Sequence, residues 1–231
     1  MADAREPMKE LVGELDFSSR RSLAEDVVDR LRKMIVRGKF GGGQHLSETV
    51  LAETFEVSRG PIREAFVALE REGLLKLERH RGARVTVLSQ PDIDEIYTLR
   101  TSLERLAVER AVRFATDEDF AAMDEAVDEL KRAVKALDVH RVVDLDVRFH
   151  DLIYQAAHHS RLYLAWSTLR PQIETFLHTR SADTRNYLTK AVREHAELRD
   201  VIRSKSKRNA TTMIDAHLRS AYERLSKQLS S

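Results

Sequence analysis

The stretch LAETFEVSRGPIREAFVALEREGL, residues 51–74, decides how this chain is read. Its apolar residues recur three and four apart in two short bursts, the spacing of helices with one buried face. The first burst (Val50, Leu51, Phe55) follows Ser47, a hydroxyl residue suited to an N-cap. The second (Ile62, Ala65, Phe66, Leu69) follows Ser58 as its N-cap and predicts a helix to about Glu72, where Gly73 supplies the left-handed residue that ends it. Two helices joined by a short turn form a helix-turn-helix, and the N-terminal end of the second is the part that enters a major groove. Arg59 and Arg63 stand there four apart, on one face. Each guanidinium has the fork shape to take guanine O6 and N7 together or to clamp a phosphate.

Working outward, Ser22 caps a helix predicted to run to Gly38, with Leu23, Val27, Val28, Leu31 and Ile35 as its buried stripe. Residues 1–20 read as a flexible arm, and Gly41-Gly42-Gly43 as a break. Downstream, Leu75, Leu77, Val85 and Val87 alternate with polar residues around His80-Arg81-Gly82, which predicts a β-hairpin with Gly82 at the turn. Helix, short helix, helix and hairpin make a winged helix-turn-helix over residues 21–88. The chain's formal net charge is only +1, so the whole does not announce a nucleic-acid binder. Basic residues outnumber acidic ones locally, over Ser18 to Phe40 and Ser58 to Leu88, and such a surplus can face phosphate.

Three features of this segment closely resemble the GntR family of transcription regulators: the Leu51-Ala52 pair, Val57-Ser58-Arg59 with Pro61 to Ala65, and Leu69 with Glu72-Gly73-Leu74. The resemblance covers residues 22–88. It implies that Thr49, Ser58, Arg59 and Arg63 contact DNA, and that the wing tip with His80 and Gly82 reaches into a minor groove. Two departures stand out: Glu56 occupies a turn position where glycine is usual, and the glycine triplet replaces a proline-glycine pair.

The rest of the chain has another texture. Residues 83–231 contain no glycine, which a β-rich domain of that length would use in its turns. Pro91 marks a boundary after an extended Gln90, and six helices are predicted at about 92–115, 117–137, 140–158, 161–181, 184–204 and 207–229. Pro171 is expected to kink or split the fourth. The fold class is therefore mainly α: a winged helix-turn-helix followed by an all-helical bundle over 89–231.

Within that bundle Asp146 and His150 are four apart and point the same way. His195 and His217 each lie eleven residues from Ser206, so antiparallel packing of the last two helices sets them at one height. Three imidazoles and a carboxylate suit a divalent metal, zinc first, with nickel or manganese also compatible. The alternative is that all four are core residues, and the remaining histidines fit no such set. Arg100 sits among Ile96, Leu99, Leu103 and Ala107, and a buried arginine needs a partner, either Glu104 or a bound carboxylate. Arg100, Glu104, Asp146, His150, His195 and His217 together resemble the FadR-type branch of the family, whose ligand-binding domain is called FCD. That resemblance favours a metal at Asp146, His150, His195 and His217, with Arg100 binding an effector. His158-His159 falls where relatives often carry asparagine.

The chain has no cysteine, which excludes disulfides and thiolate metal sites. No apolar run reaches the roughly 20 residues of a membrane span, and residues 1–20 lack a signal-peptide core, so a cytoplasmic protein is expected. No nucleophile–base pair or phosphate loop is evident. Taken with the resemblance, this implies a homodimeric, non-enzymatic regulator of a palindromic operator in double-stranded DNA, controlled by a small carboxylic acid bound at a metal. Two rivals remain at this stage: a metal-dependent hydrolase or decarboxylase with an appended DNA-binding module, and a regulator with a metal-free acyl pocket.

Overall fold

The structure, a computed structural model, describes residues 22–78, 81–180 and 184–226. The chain divides into two compact units, one ending at Val87 and the other beginning at Leu88. In the first, helices α1 (Leu23–Val36), α2 (Glu48–Phe55) and α3 (Arg59–Arg71) pack with strands β1 (His45–Leu46), β2 (Leu75–Glu78) and β3 (Gly82–Val85). The sheet is antiparallel in the order β1-β3-β2, with Leu77 opposite Ala83 and Glu78 opposite Gly82 in the hairpin. β1 was not expected: its two residues carry no readable alternation and form a strand only because β3 lies alongside, His45 facing Arg84.

Local chemistry explains the boundaries. α1 opens with a capping box, Ser22 accepting the Glu25 N–H while the Glu25 carboxylate accepts the Ser22 N–H. Its Arg32 donates from Nε and Nη2 to Glu72, both at 2.7 Å, tying α1 to the end of α3. Glu56 ends α2 in the left-handed region at φ 56°, where a side chain costs on the order of 1 kcal/mol. Ser58 holds the N-cap position of α3 but makes no capping hydrogen bond, contrary to the capping role read from sequence. Gly82 is obligatory for a second reason besides its φ of +103°: a Cβ there would lie 2.3 Å from the Leu46 carbonyl oxygen. Val27, Leu31, Ile35, Phe55, Ile62, Phe66 and Leu69 fill the core beneath these elements.

The second unit holds α4 (Gln90–Phe114), α5 (Asp117–Lys135), α6 (Val139–Ala156), α7 (Ser160–Arg180), α8 (Thr184–Arg203) and α9 (Lys207–Ser226). α4 begins earlier than Pro91 suggested. Ser89 and Asp92 form a capping box, which draws Gln90 into the first turn instead of leaving it extended. α7 continues through Pro171 and is not split. α6 is central, packing against α4, α5, α7 and α8, while α9 packs against α4 and α8. Val143, Val147, Phe149, Ile153 and Tyr154 of α6 lie in the main core. Among the described residues, Arg100, Glu104, Asp146, His150, His178, His195 and His217 are the polar or charged groups buried within this unit. Burying charge is costly unless it is paired, so these groups locate the chemistry.

Candidate functional site

The first unit presents a polar concavity of about 490 Å³ lined by Ser47, Glu48, Thr49, Arg59, Arg63, Arg81 and Gly82. It joins the N-terminal ends of α2 and α3 to the wing. Thr49, Ser58, Arg59 and Arg63 are exposed, and Gly82 is half-buried. His80 and the arm of residues 1–20 lie outside the described residues. Glu48 was missed by sequence reasoning. Its Oε2 accepts from Arg59 Nη2 at 2.9 Å and from Arg63 Nε at 2.7 Å. Burial would raise this carboxyl, but the hydrogen bonds from Arg63 and Arg59 outweigh it and hold the group below its ordinary range. One carboxylate thus orients both arginines.

In the second unit, α6, α8 and α9 bring one ring nitrogen each of His150, His195 and His217 within 4.8 Å of one another. Every ring is anchored at its far nitrogen. His150 Nδ1 donates to Glu104 Oε2 at 2.6 Å, His217 Nδ1 to Glu194 Oε2 at 3.1 Å, and His195 Nδ1 to the Ala191 carbonyl at 2.6 Å. Carboxylates and carbonyls only accept, so these partners assign the proton to Nδ1 and leave each Nε2 with its lone pair turned inward. The Nε2 atoms of His150 and His217 face each other at 3.3 Å. Asp146 Oδ1 lies 3.2 Å from His195 Nε2, yet outside hydrogen-bond geometry, so that nitrogen has no hydrogen-bond partner among the described residues. Asp146 reaches the set at this one corner and is not among the groups that lie mutually within 4.8 Å.

The electrostatics ask for positive charge here, though not for three protonated rings. Burial raises Asp146, but the neighbouring His195 overrides it and keeps the carboxyl well below its usual range. Burial would lower His195, and Asp146 reverses this and raises it. His217 is pushed down to about 4, first by burial and further by the other two imidazoles. Arg100 Nε donates to Glu104 Oε1 at 2.7 Å, so Glu104 bridges Arg100 and His150. Burial opposes the Arg100 charge, and Glu104 more than compensates. The bridging by Glu104 and the anchor at Glu194 were not read from the sequence. Nor were the hydroxyls of Tyr97, Tyr154 and Tyr187, which are buried without a hydrogen-bond partner among the described residues. His158 stands apart: it closes α6 at φ 45°, a conformation asparagine adopts easily, and its Nε2 contacts Asp119 at 2.9 Å.

A winged helix-turn-helix with two oriented arginines at the N-terminal end of its second helix, in one chain with a helical unit that buries a cluster of polar groups, defines a DNA-binding transcription regulator. Residues 23–85 match the bacterial regulatory proteins of the gntR family, and residues 95–220 match the FCD domain. The chain belongs to the GntR family of transcription regulators, in its FCD-containing branch. It is 32% identical over 203 residues to the HTH-type transcriptional regulator YdhC of Bacillus subtilis (strain 168), covering 85% of this chain and 88% of that protein. It is 34% identical to the gluconate operon transcriptional repressor of the same organism, over 73% of this chain and 69% of the repressor. Among solved structures, Escherichia coli McbR/YncC shares the fold with a TM-score of 0.79 at 23% identity, over 90% of this chain and 99% of that one. The named relatives are regulators rather than enzymes. No helix among the described residues is long and apolar enough to cross a membrane.

Proposed function

We propose that the helical unit binds one divalent metal ion through His150, His195, His217 and Asp146, and that a small hydroxy-acid effector docks against it to control operator binding. The observation that carries this reading is the convergence of three Nε2 lone pairs whose Nδ1 atoms are all anchored. Metal-ligating histidines are fixed in this way. The separations of 3.3 Å and 3.2 Å match the edge of a coordination shell with bonds of about 2.1 Å. Without a cation, bare nitrogens facing each other and a carboxylate would repel, which disfavours a plain core role. When bound, the metal supplies a Lewis-acidic centre for oxygen ligands.

Arg100 can offer the effector the part of its guanidinium not spent on Glu104, and the unpartnered hydroxyls of Tyr97 and Tyr187 are further donors beside the Asp146 carboxylate. A buried hydroxyl without an acceptor costs about 1–3 kcal/mol, and an oxygen-rich ligand removes that cost. A relative is named for a gluconate operon, and gluconate belongs to this chemical class. Arg100 and Tyr97 lie on α4, the first element past the boundary at Leu88, so an effector bound there acts on the element that follows the DNA-binding unit in the chain. The regulator acts as a homodimer with two winged heads on a palindromic operator.

The test is metal analysis of the purified protein, then thermal-shift titration with gluconate before and after EDTA. About one ion per chain at this site is expected, with His150→Ala losing it and stabilisation by the acid abolished by EDTA. Protein that binds zinc no more weakly after His150→Ala would overturn the metal assignment. Stabilisation by acids that ignores both EDTA and Arg100→Lys would overturn the effector site.

A further inference from the structure

A second cluster of metal-ligating groups lies between α6 and α7, away from the three-histidine site. Asp144, Glu174 and His178 each bring one ligand atom within 4.8 Å of the others. The sequence concealed it, because His178 read as an isolated histidine. The arrangement rests on two i,i+4 pairs that face each other across packed helices: His140 and Asp144 on α6, Glu174 and His178 on α7. His178 Nε2 lies 3.1 Å from Asp144 Oδ1, and His178 Nδ1 lies 3.1 Å from His140 Nδ1. The His178 side chain is 1% exposed, and those of Asp144 and Glu174 are 22% and 17% exposed.

We propose that Asp144, Glu174 and His178 form a second divalent-cation site, with His140 orienting the His178 ring. The 3.1 Å between His178 Nε2 and Asp144 Oδ1 is the spacing of adjacent ligands on one ion with bonds of about 2.1 Å. In the metal-free protein His178 Nε2 donates to Asp144 Oδ1 and its Nδ1 accepts from His140 Nδ1; an ion that takes Nε2 displaces that proton, and His178 then carries its proton on Nδ1 and donates it to His140. This is how a metal-bound imidazole is held by its outer partner. Glu174 is short of a partner: its ion pair with Arg170 is long, 3.8 Å, while Arg170 Nε is nearer to Asp151 at 3.2 Å. A half-buried carboxylate in that position gains most from a cation brought between it and Asp144. One imidazole with two carboxylates suits a first-row divalent ion such as zinc or manganese, with waters completing the shell. Such an ion would clamp the start of α6 to the end of α7, where only side chains now join them.

Full-length protein stripped with EDTA and titrated with zinc in a calorimeter tests this. Two ions per chain are expected, with His178→Gln and Glu174→Gln each abolishing one event or weakening it about tenfold or more while the other persists. The persisting event certifies that the variant is folded, and Glu174→Gln serves if His178→Gln is not. His150→Ala should remove the other event, and the His150→Ala/His178→Gln double variant both. A single event per chain that survives His178→Gln and Glu174→Gln, or two events that both survive them, overturns the second site. A single event lost in those variants but kept in His150→Ala would uphold it and sink the three-histidine site instead.

Discussion

Replacing Glu104 by glutamine tests how the helical unit tolerates charge at its centre. Glu104 is fully buried, with one carboxylate oxygen on Arg100 and the other on His150. Glutamine keeps the shape but removes the negative charge and turns an NH2 group towards one of two donors. The Arg100 charge is then left buried and uncompensated, a loss of about 3–5 kcal/mol for a broken internal pair. The Glu104 carboxyl is held down to about 2 because His150 and Arg100 outweigh burial, which points the same way as that loss. For a unit of this size that lowers the melting temperature by about 10 °C. Zinc affinity should fall about 10- to 100-fold, because His150 loses the partner that fixes its tautomer. The pH profile adds a sign. A depressed carboxyl stabilises the fold fully above about 4.5 and loses that contribution as pH falls towards 2, so the variant should lack this part of the acid slope. Thermal melts and zinc titrations on both proteins decide. Melting within 2 °C of the parent together with unchanged zinc affinity would refute the reasoning.

At the DNA face, Arg63→Ala should cost about 1–3 kcal/mol on the true operator in a binding titration, and equal loss on random DNA would argue against base reading. Glu48→Ala frees both arginines from their shared carboxylate, so affinity for random DNA should rise and the specificity ratio fall. His217 is held neutral by burial down to about 4 against an ordinary value of 6.5. The unfolded chain therefore binds the extra proton first, and metal-free protein should lose stability as pH falls from 6.5 to 4. Urea titrations should show this slope reduced in His217→Gln. Gly82→Ala must both hold a left-handed φ and displace the Leu46 carbonyl; it should destabilise the first unit by about 1–3 kcal/mol, read from its denaturation midpoint.

Much of what depended on residues three or four apart was legible in the sequence. The spacing of Ile62, Ala65, Phe66 and Leu69 marked α3, and Arg59 with Arg63 marked its exposed face. Asp146 with His150 marked a pair on one turn, because helix geometry fixes such neighbours before any packing occurs. Even His195 and His217 were placed at a common height, since a short connection between antiparallel helices sets that register; their ring centroids lie 5.2 Å apart. The groups that complete each site were not legible. Glu48 meets Arg59 and Arg63 across 11 and 15 residues, and Glu104 meets His150 across 46. His178 meets Asp144 across 34. β1 became a strand only beside β3, and Tyr97 and Tyr187 acquired unpartnered hydroxyls only when the bundle closed over them. Helical period and capping are properties of a few consecutive residues. Which carboxylate faces which imidazole depends on how whole helices cross, and that is decided by the packing of the entire core.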